Sequence, residues 1–517
     1  MFSRLDGETD FSVGIEIAPA KGVSVTASTD LVGVKSSFPA PLSKKEEEAW
    51  PSTFSFVPLT LKEKNGHLLR LTCSDKVDLI LQLPGKNPAV PSLGAVGIGK
   101  KVGLPNSGLT LDIQTPKILY RDWDTLVSEL IAANKKDSAQ SAQTSPMSLQ
   151  SIRYETGEFV FDEIRLTDLK GRARWLGKET WNFSVASREA DGILTWDFRR
   201  GHYGHIRAQF SRYHIPKTFE QKFIESAAIA ENKTTRPSIE LDITDLSYQD
   251  ADIGSLSLSA STFSSERGVS WKIDRLNILN PDASLSANGE WAADGTTSLQ
   301  AKLELVNAGS LLKRLGHEGI LGKGAGSIDA NLFWQGSPWN PTTNTLQGTA
   351  TVNMTRGLLE QADLGVGGAL LSLVSIQSLI KQLTFDFFDL SHTGFTFDSF
   401  TGDLSIADGV LTSDNLKLDG AKAAITLSGS ADMSQSQLNA RAVVIPKINV
   451  GAASLPLAII NPAIGLGAYF GQWLLSQPLN SLLTTEYSIT GPLAAPVIEK
   501  ILKKEATQTN ESGTDAP

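Results

Sequence analysis

Residues 401–420, TGDLSIADGVLTSDNLKLDG, read as two short strands around an Asp408-Gly409 turn. Leu404 and Ile406 alternate before the turn, and Leu416 and Leu418 after it. That period of two sets every second side chain on one face. Hairpin signals of this kind recur for most of the chain, so the fold class is mostly β. Few segments carry the 3.6-residue spacing of helices that would cover so much apolar sheet. The surplus apolar face is the question that the sequence poses.

The 517 residues suffice for several ordinary domains or for one extended architecture. With 41% hydrophobic and 20% charged residues, most of the chain is expected to be ordered. The 44 glycines and 23 prolines fall mainly between alternating runs, as turns require. A net charge of −9 without a long Lys/Arg block argues against a nucleic-acid partner. Cys73 is the single cysteine, which excludes an intrachain disulfide and a cysteine-based zinc site. No cationic stretch followed by an apolar one opens the chain, so no signal peptide is expected. Alternation begins at once (Phe11, Val13, Ile15, Ile17), as in a fold with a truncated start.

Residues 1–134 read as the first part of a β region, and 135–150, rich in Ser, Ala and Gln, as a flexible loop. A short helix is expected over 122–133. Strands continue over 151–450, interrupted by helices near 218–233 and 364–383. In SLQAKLELV, Leu299, Ala301, Leu303 and Leu305 share a face; in IDANLFWQG, Ile328, Ala330, Leu332 and Trp334 do. An apolar helical segment spans 451–485, a last strand 486–502 and a disordered tail 503–517. A weak internal repeat places GVSWKIDRLNILNPDASLSANGEW, from 268, beside GVLTSDNLKLDGAKAAITLSGSAD, from 409. In each, a leucine (Leu276, Leu416) precedes a glycine (Gly289, Gly429) by 13 residues.

The run VTASTDLVGVKSSFPAPLSK, residues 25–44, resembles a recurring segment of YhdP-type proteins of the AsmA-like superfamily. LFWQGSPWNP (332–341), LQGTATVNMTRGLLEQADLG (346–365), LTFDFFDLSHTGFTFDSFTGDLSIADG (383–409), VVIPKI (443–448) and YSITGPLAAPVIEK (487–500) follow that family's order. The resemblance is to the family's C-terminal portion. It implies a long, twisted, taco-like antiparallel β-sheet forming a groove, with a few packing helices and an apolar helical C-terminal region. It further implies bridge-like transfer of phospholipid between the inner and outer membranes of a Gram-negative envelope. Acyl chains would lie in the groove, the outer membrane would meet the C-terminal end, and envelope proteins would be possible partners. Full-length relatives are anchored in the inner membrane; no such anchor is visible in this chain.

On that reading the groove candidates are Leu299, Leu303, Leu305, Ile328, Leu332, Trp334, Leu404, Ile406, Leu416 and Leu418. Residues 454–483 pass without one charge but are broken by Pro462, Gly465, Gly467, Gly471 and Pro478, so one straight membrane helix is not expected. Two readings stay open there. In one, Leu457, Ile460, Leu466, Tyr469, Phe470, Trp473 and Leu474 contact membrane or lipid; in the other they cap the end of the β groove.

No cofactor, metal or catalytic residue is expected. His202 and His205, three apart on a strand, point to opposite faces, and His214 adds no carboxylate partner. The nearby Arg199, Arg200, Arg207, Arg212 and Lys217 read as a solvated face or a headgroup contact. HEGILGKGAGS (317–327) lacks the glycine and hydroxyl residue of a phosphate-binding loop, and no nucleophile elbow occurs. The alternative to lipid transfer is a structural or assembly protein of the envelope, its β core filled by its own side chains.

Overall fold

The computed structural model describes residues 4–18, 22–61, 64–84, 92–123, 149–161, 164–177, 179–199, 204–216, 237–266, 268–339, 341–359, 395–447, 484–493 and 496–501. The chain is mostly β, as its alternation predicts. It divides into two units: residues 1–249 with 254–262, and residues 250–253 with 263–517.

In unit 1, β1 (Leu5–Gly7) leads into β2 (Ser12–Ala18), β3 (Gly22–Thr29) and β4 (Val34–Ser36). β1 and β4 pair as a separate two-stranded ribbon. It is followed by the Phe38–Lys44 element, in which the Ala40–Pro41 peptide is cis. Lys44 is buried there and donates to the carbonyls of Val34 and Lys45 at 2.8 and 2.9 Å, so its charge is solvated by backbone. The main sheet continues through β5 (Ser52–Leu61), β6 (Lys64–Cys73), β7 (Val77–Pro84), β8 (Leu93–Ile98) and β9 (Leu109–Leu119). After it come β10 (Leu149–Phe161), β11 (Ile164–Gly177), β12 (Thr180–Ala186), β13 (Ala190–Asp197), β14 (His205–Ile215) and β15 (Ser238–Tyr248).

Neighbours pair in sequence order and mostly antiparallel, which hairpins allow. The pairings β8–β9, β9–β10 and β14–β15 are parallel. Parallel neighbours need crossovers of a dozen residues or more. The last two have them, over 120–148 and 216–237. Pro58 is tolerated in β5 because β3 stops pairing with that strand at Phe56.

β16 (Ala251–Ser265) is shared between the units. Unit 2 then runs through β17 (Gly268–Leu279), β18 (Ala283–Trp291), β19 (Thr296–Leu305), helix α1 (Ala308–Arg314) and β20 (Leu321–Gln335). It ends with β21 (Gln347–Leu359), β22 (Phe395–Ala407), β23 (Val410–Gly420), β24 (Ala423–Asp432), β25 (Gln437–Pro446), β26 (Thr485–Pro492) and β27 (Val497–Ile501). From β17 to β27 every described pairing is antiparallel and sequential. β2 pairs only with β3 and β27 only with β26 among the described residues, so the sheet has free edges rather than closing into a barrel. The closing segment holds two strands, β26 and β27, rather than one, with Gly491 at φ +103° before their connection.

The internal repeat has a structural counterpart. Ile273 pairs with Gly289 and Leu276 with Ala287, so two residues of β17 oppose one of β18. Ser413 pairs with Gly429 and Leu416 with Leu427, the same one-residue bulge between β23 and β24. A Cβ on Gly289 would collide with the Ser298 carbonyl, and one on Gly429 with the Asn439 carbonyl. The repeated glycine therefore marks a close strand approach beside a bulge. Helix α1 is not apparent from alternation: Asn307 caps it by accepting from Ser310 N at 3.1 Å, inside a run that otherwise reads as strand. Residues 120–123 are helical; the rest of the expected 122–133 helix, the helices near 218–233 and 364–383, the 135–148 part of the loop and the tail lie outside the described residues.

Candidate functional site

Strand register brings apolar residues from thirteen strands of unit 1 into one line. Val13 on β2 pairs with Ala27, Ala27 with Phe54, Phe54 with Leu71, Leu71 with Leu79 and Leu79 with Val96. The line continues through Leu111, Ile152, Ala173, Phe183, Leu194 and Ala208 to Leu241 on β15. Direct partners share a face, so the whole line lies on one side of the sheet. At ~4.8 Å per strand it runs roughly 58 Å, against ~15 Å for the hydrocarbon of one lipid monolayer. Ala173 and Ala208 are buried and Val13 is exposed; the others are half-buried, so apolar atoms reach the surface along the row. Two residues further along β11–β13, Trp175, Trp181 and Trp196 are also in direct register, the first two in edge contact at 5.4 Å. Their amphipathic indoles stand where the apolar face meets the hairpin ends.

Unit 2 carries a comparable face. Leu285, Leu303, Ile328 and Val352 form one cross-strand row, and Gly289, Leu299, Leu332, Gly348 and Ile406 another. Between them lies a floor of Ala287, Ala301, Ala330 and Ala350, ending on Leu404. Of the sequence-derived candidates, Leu299, Leu303, Ile328, Leu332, Leu404, Ile406 and Leu416 are half-buried on this face. Leu305, Trp334 and Leu418 are buried, and the Trp334 indole donates to the Ser337 carbonyl at 2.9 Å. A buried cluster that includes Val352, Phe397, Leu418, Ile425, Ala442 and Tyr487 runs from β18 to β27, and Leu303, Ile328, Leu404, Ile406 and Leu416 pack against it while staying half-buried. Leu457, Ile460, Leu466, Tyr469, Phe470, Trp473 and Leu474 lie outside the described residues.

The opposite face of unit 1 is largely polar, apart from a small buried cluster of Ile80, Ala95 and Val102, and holds buried carboxylates. Asp78 accepts from Arg70 at 2.6 and 3.1 Å, from Thr72 at 3.0 Å and from Val102 N at 2.8 Å. Burial pushes its carboxyl up, but the Val102 amide, Arg70 and Thr72 outweigh that and hold it below the usual aspartate range. A lowered folded-state pKa stabilises the fold above the unfolded value, near 3.9, and this contribution is lost as pH falls through the folded value. Asp78→Asn is expected to cost about 2 kcal/mol at neutral pH and to flatten the acid limb of the stability curve. Denaturant titrations between pH 3 and 7 measure both.

In the basic stretch near residue 200, two of the described arginines are paired with carboxylates. Arg199 pairs with Asp197 at 2.7 Å and Arg207 with Glu240 at 2.7 Å, while Arg212 donates to the Arg188 and Ser187 carbonyls. Arg200, His202 and Lys217 lie outside the described residues. His214 Nδ1 is 3.0 Å from Ser247 Oγ and His205 is 3.6 Å from Glu240. Among the described residues no three His, Cys, Asp or Glu side chains gather as metal ligands, and no helix is long and apolar enough to cross a membrane.

The unit 1 row was not singled out from sequence. Its signal is present in segments such as LTLDIQ and LILQL, but HLLRL on β6 is apolar on both faces, so alternation alone leaves the inward set undecided.

Comparison with known proteins adds a family. The family described as YhdP protein matches residues 1–498. The intermembrane phospholipid transporter YhdP of Escherichia coli (strain K12) is 30% identical over 223 residues, covering 43% of this chain and 18% of that protein. The match thus spans under a fifth of the relative's length.

Proposed function

The chain belongs to the YhdP protein family, and from that premise we propose that it carries phospholipid between membranes without covalent chemistry, its apolar sheet faces serving as a groove for acyl chains. The thirteen-strand row of unit 1 is the observation that carries this reading. Each methylene laid on such a row is stabilised by up to about 0.8 kcal/mol, and less where one side stays open to water. Because successive strands offer similar side chains, a chain displaced by one strand exchanges one contact for another of like energy. Movement along the row then faces a shallow landscape, and the direction is set by supply at the ends. Zwitterionic or anionic headgroups stay at the wet margin, where Trp175, Trp181 and Trp196 mark the border.

The half-buried side chains on the unit 2 face, Leu285, Leu299, Leu303, Ile328, Leu332 and Leu404, serve in the same way. The working place is the periplasm of a Gram-negative envelope, with the apolar 454–483 segment meeting the outer membrane or capping the groove. That the Escherichia coli relative is an intermembrane phospholipid transporter supports the substrate class. The test is mass spectrometry of lipid extracted from the purified chain: co-purifying glycerophospholipid in near-stoichiometric amount is expected, and a lipid-free protein contradicts the proposal. The closed cluster around Leu418 and Ile425 favours a second reading for the β23–β27 part, a filled β scaffold that docks envelope proteins.

A further inference from the structure

The polar face of unit 1 holds an open cavity of about 590 Å³ in which cations outnumber anions. Lys100, Arg153, Lys170, Arg172 and Arg174 line it, against Asp112 and Glu155. Arg153 is matched by Asp112, with both carboxylate oxygens accepting at 2.7 and 2.5 Å. Lys170 is matched by Glu155 at 2.8 Å, and Lys100 acts on that same carboxylate. Arg172 and Arg174 have no acidic partner among the described residues. Arg172 also stands directly opposite Arg153 in the β10–β11 register. Like charges placed opposite each other on a sheet repel, and an anion bound between them relieves the repulsion. The chain as a whole carries −9, so this surplus is local.

We propose that this cavity binds a phosphate-bearing anion. Arg172 and Arg174 project from one face of β11 about 7 Å apart, with Arg153 on the neighbouring β10 and Lys100 in the bend after β8. Forked guanidinium donors converging from several directions match a tetrahedral anion with several acceptor oxygens better than they match one planar carboxylate. The site is independent of the acyl-chain row: Arg153 and Arg172 are sequence neighbours of Ile152 and Ala173 and point to the other side of the sheet.

The ligand's phosphate has two sources, a free phosphate compound or a lipid headgroup, and two probes separate them. Pyrophosphate is titrated calorimetrically into the full chain, and vesicles of phosphatidylglycerol or phosphatidylcholine are floated with it. Binding of pyrophosphate, or of phosphatidylglycerol but not phosphatidylcholine vesicles, supports the site; which probe binds identifies the source. Arg172→Glu with Arg174→Glu is expected to weaken that binding roughly tenfold or more, and the Gln pair to do so less. Lys323→Glu, an exposed cation in unit 2, is expected to leave it unchanged. Neither arginine side chain has an acidic partner among the described residues, and a carboxylate opposite Arg153 relieves repulsion, so neither double variant should melt below the unaltered chain. Absence of binding to either probe, or equal binding by the double variant, overturns the proposal.

Discussion

A Leu194→Asp chain is expected to retain at most a tenth of the phospholipid that co-purifies with the unaltered protein, whereas Ile193→Asp retains all of it. The two positions are neighbours on β13 and both are aliphatic. Leu194 lies in the apolar row between Phe183 and Ala208, while Ile193 is on the other face and 47% exposed. A carboxylate at 194 must either be desolvated beneath an acyl chain or keep its water and exclude the chain from that strand. Either outcome costs more than the 1.4 kcal/mol that corresponds to a tenfold loss of occupancy. The pair controls for added charge, strand identity and β propensity, leaving only the face as the variable. Lipid phosphorus per mole of folded protein is the readout, with matched melting curves confirming that both variants fold. Equal lipid in the two would remove the row from the transport account.

The second large effect concerns stability rather than lipid. Phe397 is 1% exposed, packs its ring onto Gly357 so closely that a Cβ there would overlap the ring, and meets Phe400 at 6.2 Å. Phe397→Ala is expected to destabilise unit 2 by about 3–5 kcal/mol, through lost burial and the cavity left behind. Leu404→Ala, on the half-buried part of the same sheet, should fall well below that, at about 1–2 kcal/mol, because solvent already reaches its site. A chain of this length need not unfold in one step, so amide exchange in β21–β23 is the better measure. Comparable losses at the two positions would mean that the Leu404 region is as closed as the Phe397 core. The proposed groove in unit 2 would then have no room.

Much of this architecture is legible in the sequence because its governing period is two. Leu299, Leu303, Ile328 and Leu332 share a face in the structure as their spacing requires, and the repeated Leu276/Gly289 and Leu416/Gly429 pairs both mark the same bulge. What alternation cannot supply is the choice of neighbour. The parallel pairings of β9 with β10 and of β14 with β15 place Leu111 beside Ile152 and Ala208 beside Leu241, across connections in which no local pattern encodes register. The unit 1 row exists only through those pairings. Depth is equally hidden: Leu418 and Leu416 look alike as letters, yet one is sealed in a core and the other half-open. The cation cavity was missed for a similar reason, since Lys100, after β8, reaches Arg153 and Arg172 on the β10–β11 hairpin only through the parallel β8–β9 and β9–β10 pairings. In the basic run near residue 200, conspicuous by composition, Arg199 and Arg207 are each paired with a carboxylate.

The account stands on fatty tails touching one face of the unit 1 sheet. Photo-crosslinking from single benzoylphenylalanine substitutions, in cells and followed by mass analysis of the adducts, examines that contact position by position. Probes at Phe54, Leu111 and Phe183 should yield phospholipid adducts, while probes at Thr53 and Ile193, on the reverse side, should yield none. Adducts at Thr53 and Ile193 in the same amount, or none at the three row positions, would contradict it.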